Sequence, residues 1–335
     1  MEKRPIGQSG EKASILGFGC MRLPLHGPKP DNIDIDLATN MLRTAINRGV
    51  NYVDTAYAYH SSGRNSPGAS EPFLAHALKD GYRERILLAT KLPTWLVNSH
   101  ADMHKFLDEQ LRRLDVRHID FYLAHNLNSH VWEPMVNFGL VKFFEEAMKD
   151  GRIRFPCFSY HDSYGLFETI CKSYDWAMAQ IQYNYLDTEY QAGLKGLKLA
   201  ASRGVGVVVM EPLRGGFLAR HLPDELGARL QAIHPGWSMA AWALKWLRAQ
   251  KEVSTVLSGM SDMAQVGDNL KSGDEFTKAH PLPPVLGQDR LALRLGEVSH
   301  GRGLGGPARA YGRGQGPSPR ASPRPSQEPT PKLPS

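Results

Sequence analysis

Residues 51–59 read Asn51-Tyr-Val-Asp-Thr-Ala-Tyr-Ala-Tyr59, a strand-like run followed by a loop. A short apolar run ends on a carboxylate, Asp54, and a phenol, Tyr59, follows in the next loop. Two later runs repeat the pattern. Ile86-Leu-Leu-Ala-Thr-Lys91 ends on an ammonium, and Ile119-Asp-Phe-Tyr-Leu-Ala-His125 ends on an imidazole. Strands that end on reactive side chains suit a parallel barrel, where all C-terminal strand ends open on one face and bring distant residues together.

The rest of the chain keeps the same alternation. Strands are expected at 15–21, 52–55, 86–91, 119–125, 154–159, 178–182, 205–210 and 254–258. Helical periodicity falls between and after them, at 37–48, 71–79, 101–114, 140–150, 164–173, 193–202, 238–248 and 263–271. Ser99 and Asp262 stand where helix N-caps belong, and Gly49, Gly81, Gly151 and Gly204 where helices should stop. Eight β/α pairs in a row predict a (β/α)8 TIM barrel, an α/β fold, with a hairpin turn at 5–12 before the first strand. Two turn-rich loops, 60–69 and 126–137, follow Tyr59 and His125 and should shape a pocket. His60, His161 and Glu211 are further pocket candidates.

Composition bounds the rest. A chain of 335 residues with 41% hydrophobic content can fill one large barrel core. No apolar run reaches the length of a transmembrane helix, and Met1-Glu-Lys-Arg-Pro5 has no apolar leader segment. Three scattered cysteines, Cys20, Cys157 and Cys171, make neither a disulfide framework nor a metal cluster. A cytoplasmic chain with no metal and no membrane partner is expected. The net charge of +6 is uneven: residues 281–335 hold eight Lys and Arg against three Asp and Glu. They also hold 11 of the 23 prolines and 9 of the 32 glycines, with Tyr311 as their one aromatic residue. The domain reading is therefore a barrel over 1–280 and a disordered Pro/Gly/Arg-rich tail over 281–335. Without interleaved aromatics the tail predicts no specific nucleic-acid partner.

The four polar residues form a proton-delivery set. A free phenol has a pKa of about 10, too high for an efficient acid near neutrality. A neighbouring ammonium favours the phenolate, and lowering the value to about 7 asks for roughly 4 kcal/mol. A carboxylate can hold the ammonium, and an imidazole can orient a carbonyl group. Singly, each residue fits a turn cap, a surface lysine, a structural histidine or a packing tyrosine. Jointly, in this order, they fit catalysis.

These motifs resemble the aldo-keto reductase family. Asp54 and Tyr59, five apart, look like its second-strand signature. Ala89-Thr-Lys91 and Leu123-Ala-His125 look like its lysine and histidine positions, and Leu16-Gly-Phe-Gly-Cys-Met-Arg-Leu-Pro24 resembles its first strand. The resemblance runs from about residue 5 to about 271. It implies a soluble enzyme that reduces an aldehyde or ketone to an alcohol with a nicotinamide cofactor. Asp54, Tyr59, Lys91 and His125 would be catalytic, with Tyr59 as general acid. The cofactor's carboxamide would meet Ser159 and Gln180, and its ring Met210. Glu211, Leu213, Arg214 and Gly215 would surround the pyrophosphate, and Gly259, Ser261, Gln265 and Asn269 the adenosine end. Independently of the resemblance, Arg214, Gly215, Gly216 and the helix start after Asp262 offer a cation and free N–H groups for phosphate. The family's habit points to NADPH. The basic residue that usually meets its 2′-phosphate is missing near Ser261 and Gln265, which keeps NADH open. Relatives with a motif like Ser258-Gly-Met-Ser261 often continue into an iron–sulfur segment, which a chain without cysteines after Cys171 does not have. The alternative reading is a non-catalytic relative that binds the cofactor as a sensor or regulatory subunit.

Overall fold

Alternation of two residues along a strand sends side chains to opposite faces, and here it separates two apolar layers. A computed structural model describes residues 1–63, 65–220 and 224–274. It opens with an antiparallel hairpin, β1 (Lys3–Pro5) and β2 (Lys12–Ser14). The barrel follows as β3 (Leu16–Gly19), α1 (Ile35–Asn47), β4 (Tyr52–Asp54), α2 (Ser70–Ala77), β5 (Leu87–Leu92), α3 (His100–Leu114) and β6 (Ile119–Leu127). It continues with α4 (Trp132–Asn137), α5 (Leu140–Lys149), β7 (Ile153–Tyr160), α6 (Tyr164–Ser173), β8 (Met178–Gln182), α7 (Gly193–Ser202) and β9 (Gly206–Met210). The described chain ends with α8 (Phe217–Arg220), α9 (Asp224–Ile233), α10 (Met239–Arg248), β10 (Val253–Gly259) and α11 (Met263–Asp274). Strands β3 to β10 pair in parallel, and β10 closes on β3: the chain is a (β/α)8 TIM barrel with an N-terminal hairpin.

One layer lies between strands and helices, built by residues such as Val53, Leu88, Tyr122, Phe158, Ala179 and Val209. The other fills the barrel, with Tyr52, Leu87, Ala89, Phe121, Leu123, Cys157, Met178, Val208 and Leu257. Followed two residues at a time toward the C-terminal ends, the inner stripes turn polar. Tyr52 leads to Asp54, Ala89 to Lys91, Leu123 to His125, Cys157 to Ser159 and Met178 to Gln180. The barrel is thus a dry plug below and a polar face above.

The hairpin closes the opposite end. The Arg4 guanidinium donates to the carbonyls of Arg248, Gln250 and Val253 at 2.7, 3.0 and 3.2 Å. Ser99 caps α3 by accepting the Asp102 N–H, and Asp262 caps α11 by accepting that of Gln265 at 2.8 Å. Gly49, Gly151 and Gly204 follow their helices with φ of 96°, 78° and 74°.

Three expectations are corrected. His125 does not end its strand, because β6 runs on to Leu127 across a break in register. Asn126 sits at φ 57° there, and its N–H goes to Ser159 Oγ at 2.7 Å instead of the ladder. The loop 126–137 contains α4, whose Met135 is buried. Between β9 and α10 stand α8 and α9, which bury Leu218, Leu226 and Leu230 against Trp237 and Trp242. No helix among the described residues is long and apolar enough to cross a membrane. The tail expected over 281–335 lies outside the described residues.

Candidate active site

Lys91 stands on the inner face of β5 and is fully buried. Its ammonium donates to Asp54 Oδ1 at 2.7 Å, to the Thr55 carbonyl at 2.7 Å and to Tyr59 Oη at 3.2 Å. The same Nζ lies 4.7 Å from the centre of the Tyr59 ring. Burial pushes the Asp54 carboxyl above its usual range and the Lys91 amine below its own, and their contact opposes both shifts. At 2.7 Å, with a further carbonyl on the ammonium, the charged pair is the form the geometry supports.

His125 meets Tyr59 edge to face, with ring centres 6.1 Å apart. Its carbonyl accepts the Thr94 hydroxyl at 2.6 Å, and its buried Nδ1 has no protein partner. Burial, then Lys91 and His161, hold the imidazole well below the usual histidine range. His125 is neutral near pH 7, a hydrogen-bonding group rather than a cation.

Tyr59 is half-buried in the loop after β4. Behind it and Lys91 runs a buried polar network. Glu71, in the first turn of α2 and fully buried, accepts from Thr90 at 2.8 Å, Gln110 at 2.6 Å and Arg113 at 2.9 Å. Gln110 also donates to the Lys91 carbonyl at 3.1 Å and accepts the Tyr122 hydroxyl at 2.6 Å. Arg113 reaches the Gly68 carbonyl. Gly68 has no room for a side chain: a methyl group there would fall 1.8 Å from the Tyr59 carbonyl oxygen. One carboxylate thus braces both the strand of Lys91 and the loop of Tyr59.

On the other side of the barrel mouth, Ser159 and Gln180 are direct neighbours in the β7–β8 register, both buried. Gln180 Nε2 approaches Met210 Sδ at 3.6 Å, and its buried Oε1 has no protein partner. Glu211 and Arg214 adopt left-handed backbone at φ 55° and 46°, followed by Gly215 and Gly216 at 69° and 89°. Arg214 Nε lies 3.3 Å from Asp187, and Leu213 accepts the Gly216 N–H at 3.0 Å. Gly259, the last residue of β10, and Ser261 after it are exposed, and the Ser261 N–H goes to Gln265 Oε1 at 3.0 Å. Asn269 instead points inward and donates to Ser258 at 2.9 Å.

The sequence reading singled out neither Trp95 nor the Glu71 network. Trp95 packs edge to face on His125 with ring centres 5.2 Å apart, and its place four residues after Lys91 was the available signal. Glu71, Gln110 and Arg113 read as ordinary helical polar residues, since only the fold turns them inward.

This chain is similar to known proteins over most of its length. The model of the aldo/keto reductase family matches residues 15–279. L-galactose dehydrogenase of Arabidopsis thaliana is 27% identical over 317 residues, covering 88% of this chain and 92% of that protein. 6-Dehydroglucose reductase of Novosphingobium aromaticivorans is 26% identical over 287 residues, covering 80% of this chain and 89% of that protein. The holo form of an aldo-keto reductase from Bacillus halodurans superposes with a TM-score of 0.69 at 28% identity, covering 88% and 96% of the two chains.

Proposed function

Because this chain belongs to the aldo/keto reductase family of oxidoreductases, we propose that it reduces an aldehyde or ketone to an alcohol at the Asp54–Tyr59–Lys91–His125 cluster. The observation that carries the reading is the contact of Lys91 Nζ with Tyr59 Oη at 3.2 Å, backed by Asp54 at 2.7 Å. The residues fit a nicotinamide cofactor. Gln180 Oε1 is a buried acceptor without a protein partner, and an amide side chain can answer both halves of a carboxamide. Gln180 and Ser159 would hold that carboxamide, and Met210 would cover the ring. When bound, the cofactor supplies a hydride to the carbonyl carbon.

The chain's own residues handle the proton. Tyr59 gives its phenolic proton to the carbonyl oxygen. The Lys91 ammonium stabilises the phenolate left behind, and Asp54 keeps that ammonium charged and in place. Neutral His125 directs the carbonyl toward Tyr59. We assign NADPH as the cofactor, with NADH as the comparison. Two relatives are named for reactions of L-galactose and 6-dehydroglucose, so sugar carbonyls are the first substrates to try.

Tyr59→Phe tests the assignment. It keeps the ring and removes the proton. The expected outcome is loss of about a hundred-fold or more in carbonyl reduction, with NADPH binding by fluorescence preserved. Turnover within a few-fold of the parent excludes Tyr59 as the acid.

A further inference from the structure

The sequence offered Arg214 and the start of α11 as partners for the cofactor's phosphates, and in the structure an acid stands beside each. Arg214 turns toward Asp187 at 3.3 Å. The first turn of α11 is occupied by Asp262, whose carboxylate takes the Gln265 N–H at 2.8 Å and its side-chain amide at 2.8 Å. An anion arriving there meets a like charge.

Two other guanidinium groups converge beside it, from places the sequence does not connect. Arg22 follows β3 and crosses to the β9 and β10 loops. A methyl group placed on Gly215 would lie 3.1 Å from Arg22 Nη2, and one on Gly259 would lie 3.2 Å from the Arg22 side chain. The Ser261 hydroxyl donates to the Arg22 carbonyl at 2.8 Å, which fixes the arginine's backbone to the loop after β10. Arg220, at the end of α8, comes from the other side. A methyl on Gly216 would lie 3.2 Å from its Nη2, and the same nitrogen is 3.4 Å from the Gly215 carbonyl. The two arginines flank a pair of glycines in left-handed backbone, at φ 69° and 89°, where bare peptide is accessible. Among the described residues no carboxylate forms an ion pair with either side chain. Cations gathered around open backbone, at the barrel face where phosphates commonly bind, call for an anion.

We propose that Arg22 and Arg220 form an anion cradle over Gly215–Gly216 that grips the phosphates of the nucleotide cofactor. The assignment rests on the cofactor reading above and adds to it a cation that comes from the loop after β3. It also adds a cation beside Ser261: Arg22 reaches that loop from the end of β3, the strand next to β10.

The test titrates the parent, Arg22→Gln and Arg220→Gln with NADPH and with NADH by fluorescence, at low and at moderate salt. A parallel series follows the melting temperature with inorganic pyrophosphate. Each substitution should weaken dinucleotide binding about ten-fold or more and flatten its salt dependence. Weakening toward both dinucleotides places the diphosphate in the cradle; weakening toward NADPH alone places the 2′-phosphate there. Pyrophosphate should raise the parent's melting temperature and have less effect on either variant. If dinucleotides bind parent and variants alike, within two-fold, the cradle is wrong and the cofactor reading stands. If no dinucleotide binds the parent while the pyrophosphate effect is lost in the variants, the cradle stands as an anion site and the cofactor reading falls. If pyrophosphate moves all three proteins equally and no dinucleotide binds, both fall.

Discussion

At the scale of single residues, the site is a set of polar side chains at the end of apolar stripes. Gln180 shows what that placement implies. Its Oε1 is buried without a protein partner, an arrangement that costs about 1–3 kcal/mol when nothing answers it. Gln180→Leu should weaken NADPH and NADH binding roughly ten- to hundred-fold, measured by fluorescence titration. Unchanged affinity would make Gln180 a packing residue. Asp54, Lys91 and His125 were legible because each ends or nearly ends an apolar run, so their types and order already spelled a chemistry. Arg22, Arg220 and Glu71 were not. Glu71 sits 42 residues from Arg113, and nothing local distinguishes it from an exposed helical glutamate. Its role comes from neighbours that only the closed barrel supplies.

At the scale of elements, the strands and the eight main helices followed from their periods of two and 3.6, and helix starts from their caps. The short helices α4 and α9 were harder. Helix α4 is six residues long and carries Pro134, so it shows no apolar period. Helix α9 does carry a signal, Leu226 and Leu230 four apart, but eight β/α pairs leave no place for it in a count of barrel elements. The bulge at Asn126 was invisible, since it depends on the Ser159 hydroxyl from the neighbouring strand. The brace between α2, α3 and β5 gives a test at this scale. Gln110→Met removes donors to Glu71, Thr90 and the Lys91 carbonyl and leaves Glu71 short of a partner. It should cost about 2–3 kcal/mol, or roughly 5–10 °C in melting temperature. Carbonyl reduction by the folded variant should fall as well, because Lys91 loses its support. A melt unchanged within a degree would show the network to be dispensable.

For the whole molecule, the polar mouth ties stability to pH. Burial holds His161 down to about 4, and His125 shifts the same way. An unfolded histidine takes up its proton near 6.5, so between that value and about 4 the unfolded chain binds protons that the folded chain refuses. This contribution to stability is intact above pH 6.5 and is lost as the pH falls toward 4. Asp54 and Glu71, raised by burial, act in the opposite sense. A difference between proteins therefore isolates the histidine: His161→Asn should lose less melting temperature than the parent between pH 7 and pH 5. Equal losses would mean that His161 takes up its proton in the folded state.

Lys91 spends all three of its N–H donors on the protein itself. A neutral amine beside an aldehyde condenses with it to an imine and releases water, which ties up the lysine. Here every N–H of the ammonium is engaged, by a carboxylate, a main-chain oxygen and a phenol. The nitrogen keeps its proton and has no lone pair to offer. On the function proposed above, the contacts that would tune Tyr59 therefore also deny an incoming carbonyl compound a free amine.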